Sequence, residues 1–273
     1  MDRYGIMGNP IQHSWSPRVH QLFAKQTQQQ LIYEPILVSL DGFRQALDGF
    51  QARGGKGLNI TSPFKQQAYQ LVNALSERAT LAKAVNTIQF NPDGSRFGDN
   101  TDGVGFIRDV MSGHHFPISG KRVLVLGAGG AVRGILNHVL QEQPEWVVIA
   151  NRTEEKANVL VSEFSYYSSI QARSLSNLTG FKFDLIINGT SAGLTGDIID
   201  LPKRILSEQA YCYDMTYGKR LTPFMMWAIA NHAAMISNGL GMLIEQAAES
   251  FYLWRGVKPE TQPVLSALTN VNS

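Results

Sequence analysis

The chain has 273 residues, with 17% charged, 44% hydrophobic and a formal net charge of +2. That length suits two ordinary domains with substantial cores, and a near-neutral charge without like-charge runs excludes a basic stripe for nucleic acid. A single cysteine and six ungrouped histidines speak against a disulfide framework or metal centre, and no apolar run nears the ~18 residues of a membrane span; a cytoplasmic protein, with no membrane or nucleic-acid partner and no metal, is expected.

Taken in chain order, a strand over 4–8 leads to Ser14 and to Ser16-Pro17, which reads as N-cap and first position of a helix over 17–28. A strand over 31–38, a helix over 42–51 and a strand over 57–61 follow. Asn59-Ile-Thr-Ser-Pro-Phe-Lys65 reads as an apolar strand end running into a polar turn. Ser62-Pro63 is expected to open a helix over 63–75, placing Lys65 in its first turn, where a cation opposes the helix dipole. A lysine disfavoured locally points to a role beyond solvation, though a surface lysine is the plain alternative. Short strands over 85–90 and 96–99 are joined by the hairpin signal Asn91-Pro-Asp-Gly94. Asp99-Asn-Thr-Asp-Gly103 is a second polar strand end, leading into a helix over 102–111.

After a loop over 112–120, the strand 122–126 meets Gly127-Ala-Gly-Gly-Ala-Val-Arg-Gly134. Strand, glycine turn and helix in that order form a phosphate cradle. Gly127 permits the tight turn and Gly129 lets backbone approach a pyrophosphate. The third glycine of the usual fingerprint falls at Val132, leaving Gly130 and Gly134 to supply close packing; a structural turn is the alternative. The strand 146–150 ends at Asn151-Arg152-Thr153, where an NAD-specific protein places a carboxylate. A guanidinium beside small polar side chains suits a ribose 2′-phosphate and favours NADP; a cap on the helix containing Lys156, with Arg152 solvated, is the alternative. Strands over 184–188, 211–214 and 234–237 complete an alternating α/β pattern, and Cys212 reads as an inert core thiol. In a helix over 242–255, Leu243, Ala247, Ser250 and Trp254 form a core-facing stripe.

Further motifs accompany these: Gly8-Asn-Pro-Ile-x-His-Ser-x-Ser-Pro17, Ala84-Val-Asn-Thr87, Tyr213-Asp-Met-x-Tyr217 and Gly239-x-Gly-Met-Leu-x-x-Gln-Ala247. With Asn59-x-Thr-x-Pro-x-Lys65, Asp99-Asn-Thr-Asp-Gly103, the glycine turn and Asn151-Arg-Thr153, they make a collinear set that resembles the shikimate dehydrogenase family. Asn238, where aspartate is common, and Gly189, in place of an alanine, depart from its pattern. The resemblance implies an N-terminal α/β substrate domain and a Rossmann-like, doubly wound NADP-binding domain with a cleft between them. The substrate domain would be discontinuous, 1–101 with 240–273, and the NADP domain would span 102–239. The implied reaction is reversible NADPH-dependent reduction of 3-dehydroshikimate to shikimate in aromatic amino-acid and chorismate biosynthesis. Lys65 and Asp102 are the expected acid–base pair, and both would also bind substrate. Ser14 and Ser16 are expected at the substrate carboxylate, Asn59, Thr61 and Asn86 at the ring hydroxyls, with Tyr217 and Gln246 completing the set. Gly127, Ala128, Gly129, Gly130, Ala131, Asn151, Arg152, Thr153 and Lys156 are expected to hold the cofactor, with Met215 and Gly239 at its nicotinamide end. A monomer or homodimer is expected. Open alternatives are a quinate/shikimate dehydrogenase of broader specificity, another two-domain NADP enzyme such as a folate or glutamyl-tRNA dehydrogenase, and a non-catalytic NADP- or metabolite-binding sensor. The pairing of Lys65 with Asp102 speaks against the sensor, since binding alone does not need it.

Overall fold

The computed structural model describes residues 1–190 and 200–270. They divide into two compact α/β units, Met1–Arg108 with Met242–Ser273, and Asp109–Gly241.

The first unit is built on a mixed sheet of β1 (Asp2–Gly8), β2 (Leu31–Leu37), β3 (Gly55–Ile60), β4 (Ala74–Leu75), β5 (Thr87–Phe90) and β6 (Arg96–Asp99), in the order β2-β1-β3-β5-β6-β4. β1 is parallel to β2 and β3, whereas β5 runs antiparallel between β3 and β6. The last residues of β1, β3 and β6 and the first of β5 therefore share one edge of the sheet. Side chains alternate between faces, as the pleat requires. Met7, Leu58 and Ile60 pack with Phe43, Leu47 and Phe64 on one side. Tyr4, Ile6 and Tyr33 pack near Trp254 on the other. That second side also carries α1 (Ser16–Gln26) and the long helix Leu240–Arg255, through Phe23 against Phe251 at 5.8 Å. Asn59, between Leu58 and Ile60 in β3, reaches the Tyr33 side, where it accepts a hydrogen bond from the Tyr33 hydroxyl at 2.8 Å.

Several helix boundaries differ from the sequence expectations. α1 begins at Ser16 with Trp15 as its cap, so Ser16 is the first helical residue and Pro17 the second. α2 (Phe43–Ala52) lies close to its expected span. The helix expected over 63–75 shrinks to α3 (Lys65–Tyr69), capped by Phe64 rather than Ser62, and the Ser62–Pro63 peptide is cis. Residues 73–76 are taken by the sheet instead: the Asn73 amide donates to the Arg96 carbonyl at 2.9 Å and the Ser76 amide to Gly98 at 3.0 Å. Ser76 then caps α4 (Glu77–Ala82) by accepting from the Ala79 amide at 3.2 Å. The hairpin at 91–94 forms as expected, with the Gly94 amide bonded to the Asn91 carbonyl at 3.0 Å. α5 (Asp102–Ile107) opens at Asp102 and passes into a π-helical turn, Arg108–Gly113.

The second unit is an all-parallel sheet of β7 (Arg122–Leu126), β8 (Trp146–Ala150), β9 (Ile170–Arg173), β10 (Phe183–Asn188), β11 (Leu206–Asp214) and β12 (Met235–Asn238), ordered β12-β11-β10-β7-β8-β9. This is doubly wound: strands are added outward from β7 to β9 on one side and from β10 to β12 on the other, so the strand order reverses between the parallel neighbours β7 and β10, the switch point where such sheets bind ligands. β7 and β8 are continuous apolar runs, as strands covered on both faces require. β9 escapes the sequence pattern because it is a short edge strand with only Ile170 buried. α6 (Gly130–Gln141), α7 (Glu154–Glu163) and the helix Pro223–Ala230 accompany the sheet. Cys212 is fully buried in β11, and burial pushes its thiol up to about 12, as an inert core residue requires.

Candidate active site

Strand ends at the shared edge of the first sheet bring the polar motifs together. The turn after β3 is tied to β1 by the Thr61 amide, which donates to the Met7 carbonyl at 2.9 Å, and by the Asn9 amide, which donates to Ser62 at 3.0 Å. Lys65, opening α3, donates from Nζ to Asp102 Oδ2 at 2.5 Å. Both side chains are nearly buried, at 12% and 6% exposure, so the pair is weakly screened by water. Asn86, one residue before β5, donates from Nδ2 to the other carboxylate oxygen of Asp102 at 2.9 Å and to Gln246 Oε1 at 3.1 Å. Its own oxygen accepts from the Thr101 amide at 2.9 Å, which fixes the amide orientation.

Lys65, Asn86, Asp102 and Gln246 thus form one hydrogen-bonded group. Asn59 joins it through a second layer, donating to Ser250 at 3.0 Å, Thr87 at 3.1 Å and the Asn86 carbonyl at 3.2 Å. Ser14 lies on the loop leaving β1 and Ser16 opens α1, and the two are bonded, the Ser16 amide donating to Ser14 Oγ at 3.3 Å. Neither is hydrogen-bonded to the Lys65 group, and the Thr61 hydroxyl makes no hydrogen bond among the described residues.

Thr87, Thr101, Ser250 and Tyr33 join this network although none of them belongs to the site that the sequence predicts. Ser250 sits on the core-facing stripe of the long helix, yet its hydroxyl links Asn59 with Thr87 at 2.7 Å and Thr101 at 3.3 Å. The available signal was its position four residues after Gln246, on the same helix face. Thr87 and Thr101 lie inside the motifs that carried Asn86 and Asp102.

In the second unit, Gly127 has φ +105°, the left-handed backbone that the tight turn demands of glycine. Ala128 and Gly129 complete the turn, and Gly130 and Ala131 begin α6. A β-carbon on Gly129 would meet nothing within 4 Å, and no side chain caps α6 there. Uncapped amides beside open space suit a phosphate. At the third fingerprint position, Val132 meets a glycine of the neighbouring strand end: a β-carbon on Gly189 would come 2.5 Å from Val132 Cγ2. At the end of β8, Asn151 Nδ2 donates to the Thr153 carbonyl at 2.8 Å. Thr153 caps α7 by position, without a side-chain bond. Arg152 and Lys156 are exposed, and Arg152 makes no ion pair among the described residues. These residues fit a dinucleotide carrying a 2′-phosphate. Met215 follows β11 and packs its backbone against Gly239, where a β-carbon would collide with the Met215 carbonyl. Tyr217 lies on the same loop as Met215.

Among the described residues no group of His, Cys, Asp and Glu could hold a metal ion, and no helix is long and apolar enough to cross a membrane.

Three family models match the chain: the shikimate dehydrogenase substrate binding domain over 6–88, shikimate/quinate 5-dehydrogenase over 111–198, and the shikimate 5′-dehydrogenase C-terminal domain over 239–269. A curated relative, shikimate dehydrogenase (NADP(+)) of Alkalilimnicola ehrlichii, is 54% identical over 267 residues, covering 98% of each chain. Among solved structures, an Ael1 enzyme from Pseudomonas putida superposes with a TM-score of 0.90 at 46% identity, covering 98% of both chains. Shikimate 5-dehydrogenase from Thermus thermophilus, in complex with NADP(H) and shikimate, gives a TM-score of 0.86 at 30% identity, covering 99% of both.

Proposed function

The chain belongs to the shikimate dehydrogenase family, and we propose that Lys65 and Asp102 are the residues with which it moves a proton at the substrate oxygen. It is an NADP-dependent oxidoreductase that interconverts 3-dehydroshikimate and shikimate. NADPH, when bound, supplies the hydride that goes to the carbonyl carbon. The Lys65 ammonium gives a proton to the carbonyl oxygen and stabilises negative charge developing there; in the oxidative direction it takes that proton from the hydroxyl. Asp102 accepts from Lys65 and orients it, while Asn86 holds the far carboxylate oxygen. The 2.5 Å hydrogen bond between two nearly buried, oppositely charged groups carries this reading.

Ser14 and Ser16, where β1 runs into α1, hold the substrate carboxylate. Asn59, Thr61, Asn86, Tyr217 and Gln246 serve the ring hydroxyls. On the cofactor side, the 127–131 turn takes the pyrophosphate, Asn151, Arg152, Thr153 and Lys156 take the adenosine ribose and its 2′-phosphate, and Met215 and Gly239 lie at the nicotinamide. A broader quinate/shikimate specificity is the second reading, favoured by the shikimate/quinate model matched over 111–198.

Nicotinamide absorbance with purified protein, testing shikimate and quinate against NADP and NAD, decides between them. Shikimate with NADP is expected to give the highest kcat/KM, and comparable values for quinate establish the broader reading. Arg152→Ala in the same assay is expected to weaken NADP roughly 10- to 150-fold, the worth of a hydrogen bond to a charged group, and to leave NAD unchanged. Equal losses for both cofactors would place Arg152 elsewhere on the adenosine.

A further inference from the structure

We infer that Asp214 is a positioning residue that staples both ends of the loop 215–222. This rests on the reading above, in which that loop presents Met215 to the nicotinamide and Tyr217 to the substrate.

Asp214 is the last residue of β11 and is fully buried. At the near end of the loop, its Oδ1 accepts from the Thr216 amide at 3.0 Å. At the far end, its Oδ2 accepts from the Thr222 hydroxyl at 2.5 Å. The same Thr222 oxygen accepts from the Met225 amide at 3.2 Å, capping the helix Pro223–Ala230. The hydroxyl proton is thus committed to the carboxylate and a lone pair to the helix, so strand end, loop and helix start share one junction. A third donor comes from the neighbouring strand: Asn188, in register with Asp214, donates from Nδ2 at 3.2 Å. The Asn188 carbonyl accepts from the Met215 amide at 2.9 Å, and the Gly239 amide donates to the Thr216 carbonyl at 3.2 Å. Met215 and Thr216 are therefore held from three sides, whereas residues 218–221 are exposed.

The choice of a carboxylate is informative. Among the described residues Asp214 has no cationic partner, and burial pushes its carboxyl above the usual range, partly offset by hydrogen bonds from Thr222, Thr216 and Asn188. A buried, uncompensated carboxylate is costly where stability alone is at stake, since apolar groups of the same shape serve as well. Its hydrogen bonds are charge-assisted and directional, which suits a group that must fix a loop in one geometry. Nothing in Tyr213-Asp-Met-x-Tyr217 distinguishes this role from a strand-end turn; the bond to Thr222, eight residues on, reveals it.

The exposed Lys219-Arg220 pair inside the loop gives a readout that does not pass through activity. In the full chain, Thr222→Val removes the hydroxyl at constant volume, Thr222→Ser keeps it, and Asp214→Asn removes the charge while keeping an acceptor for Thr216. Trypsin cleavage after Lys219 and Arg220 is expected to accelerate roughly 10- to 150-fold in Thr222→Val and Asp214→Asn, the factor implied by losing a hydrogen bond to a charged group. It should stay near the unaltered rate in Thr222→Ser. For shikimate oxidation, kcat is expected to fall and the KM for shikimate to rise in the first two variants, and both to recover in Thr222→Ser. Cleavage and kcat unchanged in Thr222→Val, or Thr222→Ser as impaired as Thr222→Val, would overturn the assignment. An unaltered enzyme inactive on shikimate would instead sink the functional reading and leave the proteolysis comparison intact.

Discussion

Lys65 and Asp102 do not act as separable groups. Asp102 receives Lys65 on one oxygen and Asn86 on the other, and Asn86 is held by Thr101 and in contact with Gln246. Truncating the lysine therefore removes the proton donor and leaves a carboxylate at 6% exposure facing only an amide. Lys65→Ala is expected to lower kcat by at least about 10²–10⁴-fold, the usual worth of general acid–base assistance, with a small change in the KM for shikimate. Asp102→Asn should also slow turnover, because the lysine loses its orienting partner. The double variant is expected to cost far less than the product of the singles, as residues acting as one unit do. Steady-state kinetics of the three variants checks this, and multiplicative losses would separate the two roles.

At the scale of elements, the glycine turn after β7 and the end of β10 are fitted to each other. Val132 occupies the place of the third fingerprint glycine, and Gly189 yields the space in return. An alanine at 189 would approach Val132 Cγ2 to 2.5 Å and Met215 Sδ to 3.1 Å. Gly189→Ala is expected to destabilise the second unit by about 1–3 kcal/mol, the usual cost of overpacking a filled site. Val132→Ala in the same chain should recover most of that loss. Urea unfolding of the two singles and the double closes the cycle; additive losses would show that the two side chains do not compete. The same elements show how far local pattern reaches. The positive φ of Gly127 was legible from a strand meeting glycines before a helix. The compensation at Gly189 was not, because β7 and β10 are far apart in sequence and meet only at the switch point of the sheet.

For the whole molecule, the first unit carries a stability term that depends on pH. His20 on α1 is fully buried and stacked on Tyr33, with ring centroids 4.1 Å apart. Burial lowers its pKa to about 3, offset only in part by Asn59. The unfolded chain binds a proton near pH 6.5 that the folded chain refuses. Stability from this residue is therefore complete above pH 6.5 and is lost as pH falls toward 3, by about 1.4 kcal/mol per pH unit. Between pH 7 and pH 5 the unaltered protein is expected to lose about 2 kcal/mol more than His20→Phe, which keeps an aromatic ring against Tyr33. Urea titrations at the two pH values measure the difference, and equal losses would mean that His20 is protonated in the fold.

The sequence by itself determined the alternation of apolar strands with helices, the glycine turn, the 91–94 hairpin and the placement of polar motifs at strand ends. Each of these depends on residues within a few positions of one another, through side-chain periodicity or glycine's freedom to take positive φ. Only the tertiary structure decided which strand ends share an edge, and hence that Lys65 reaches Asp102 and that Asn86 reaches Gln246 on the closing helix. It also set limits that local propensity does not contain. The helix expected over 63–75 stops at Tyr69 because residues 73–76 bond to β6, and β9 exists because β8 offers an open edge to a segment with little apolar pattern of its own. Ser250 shows the same division: its stripe on the helix says that it is buried, but its partners Asn59, Thr87 and Thr101 come from three other segments. A buried hydroxyl must find a partner, and only the packed fold determines which one.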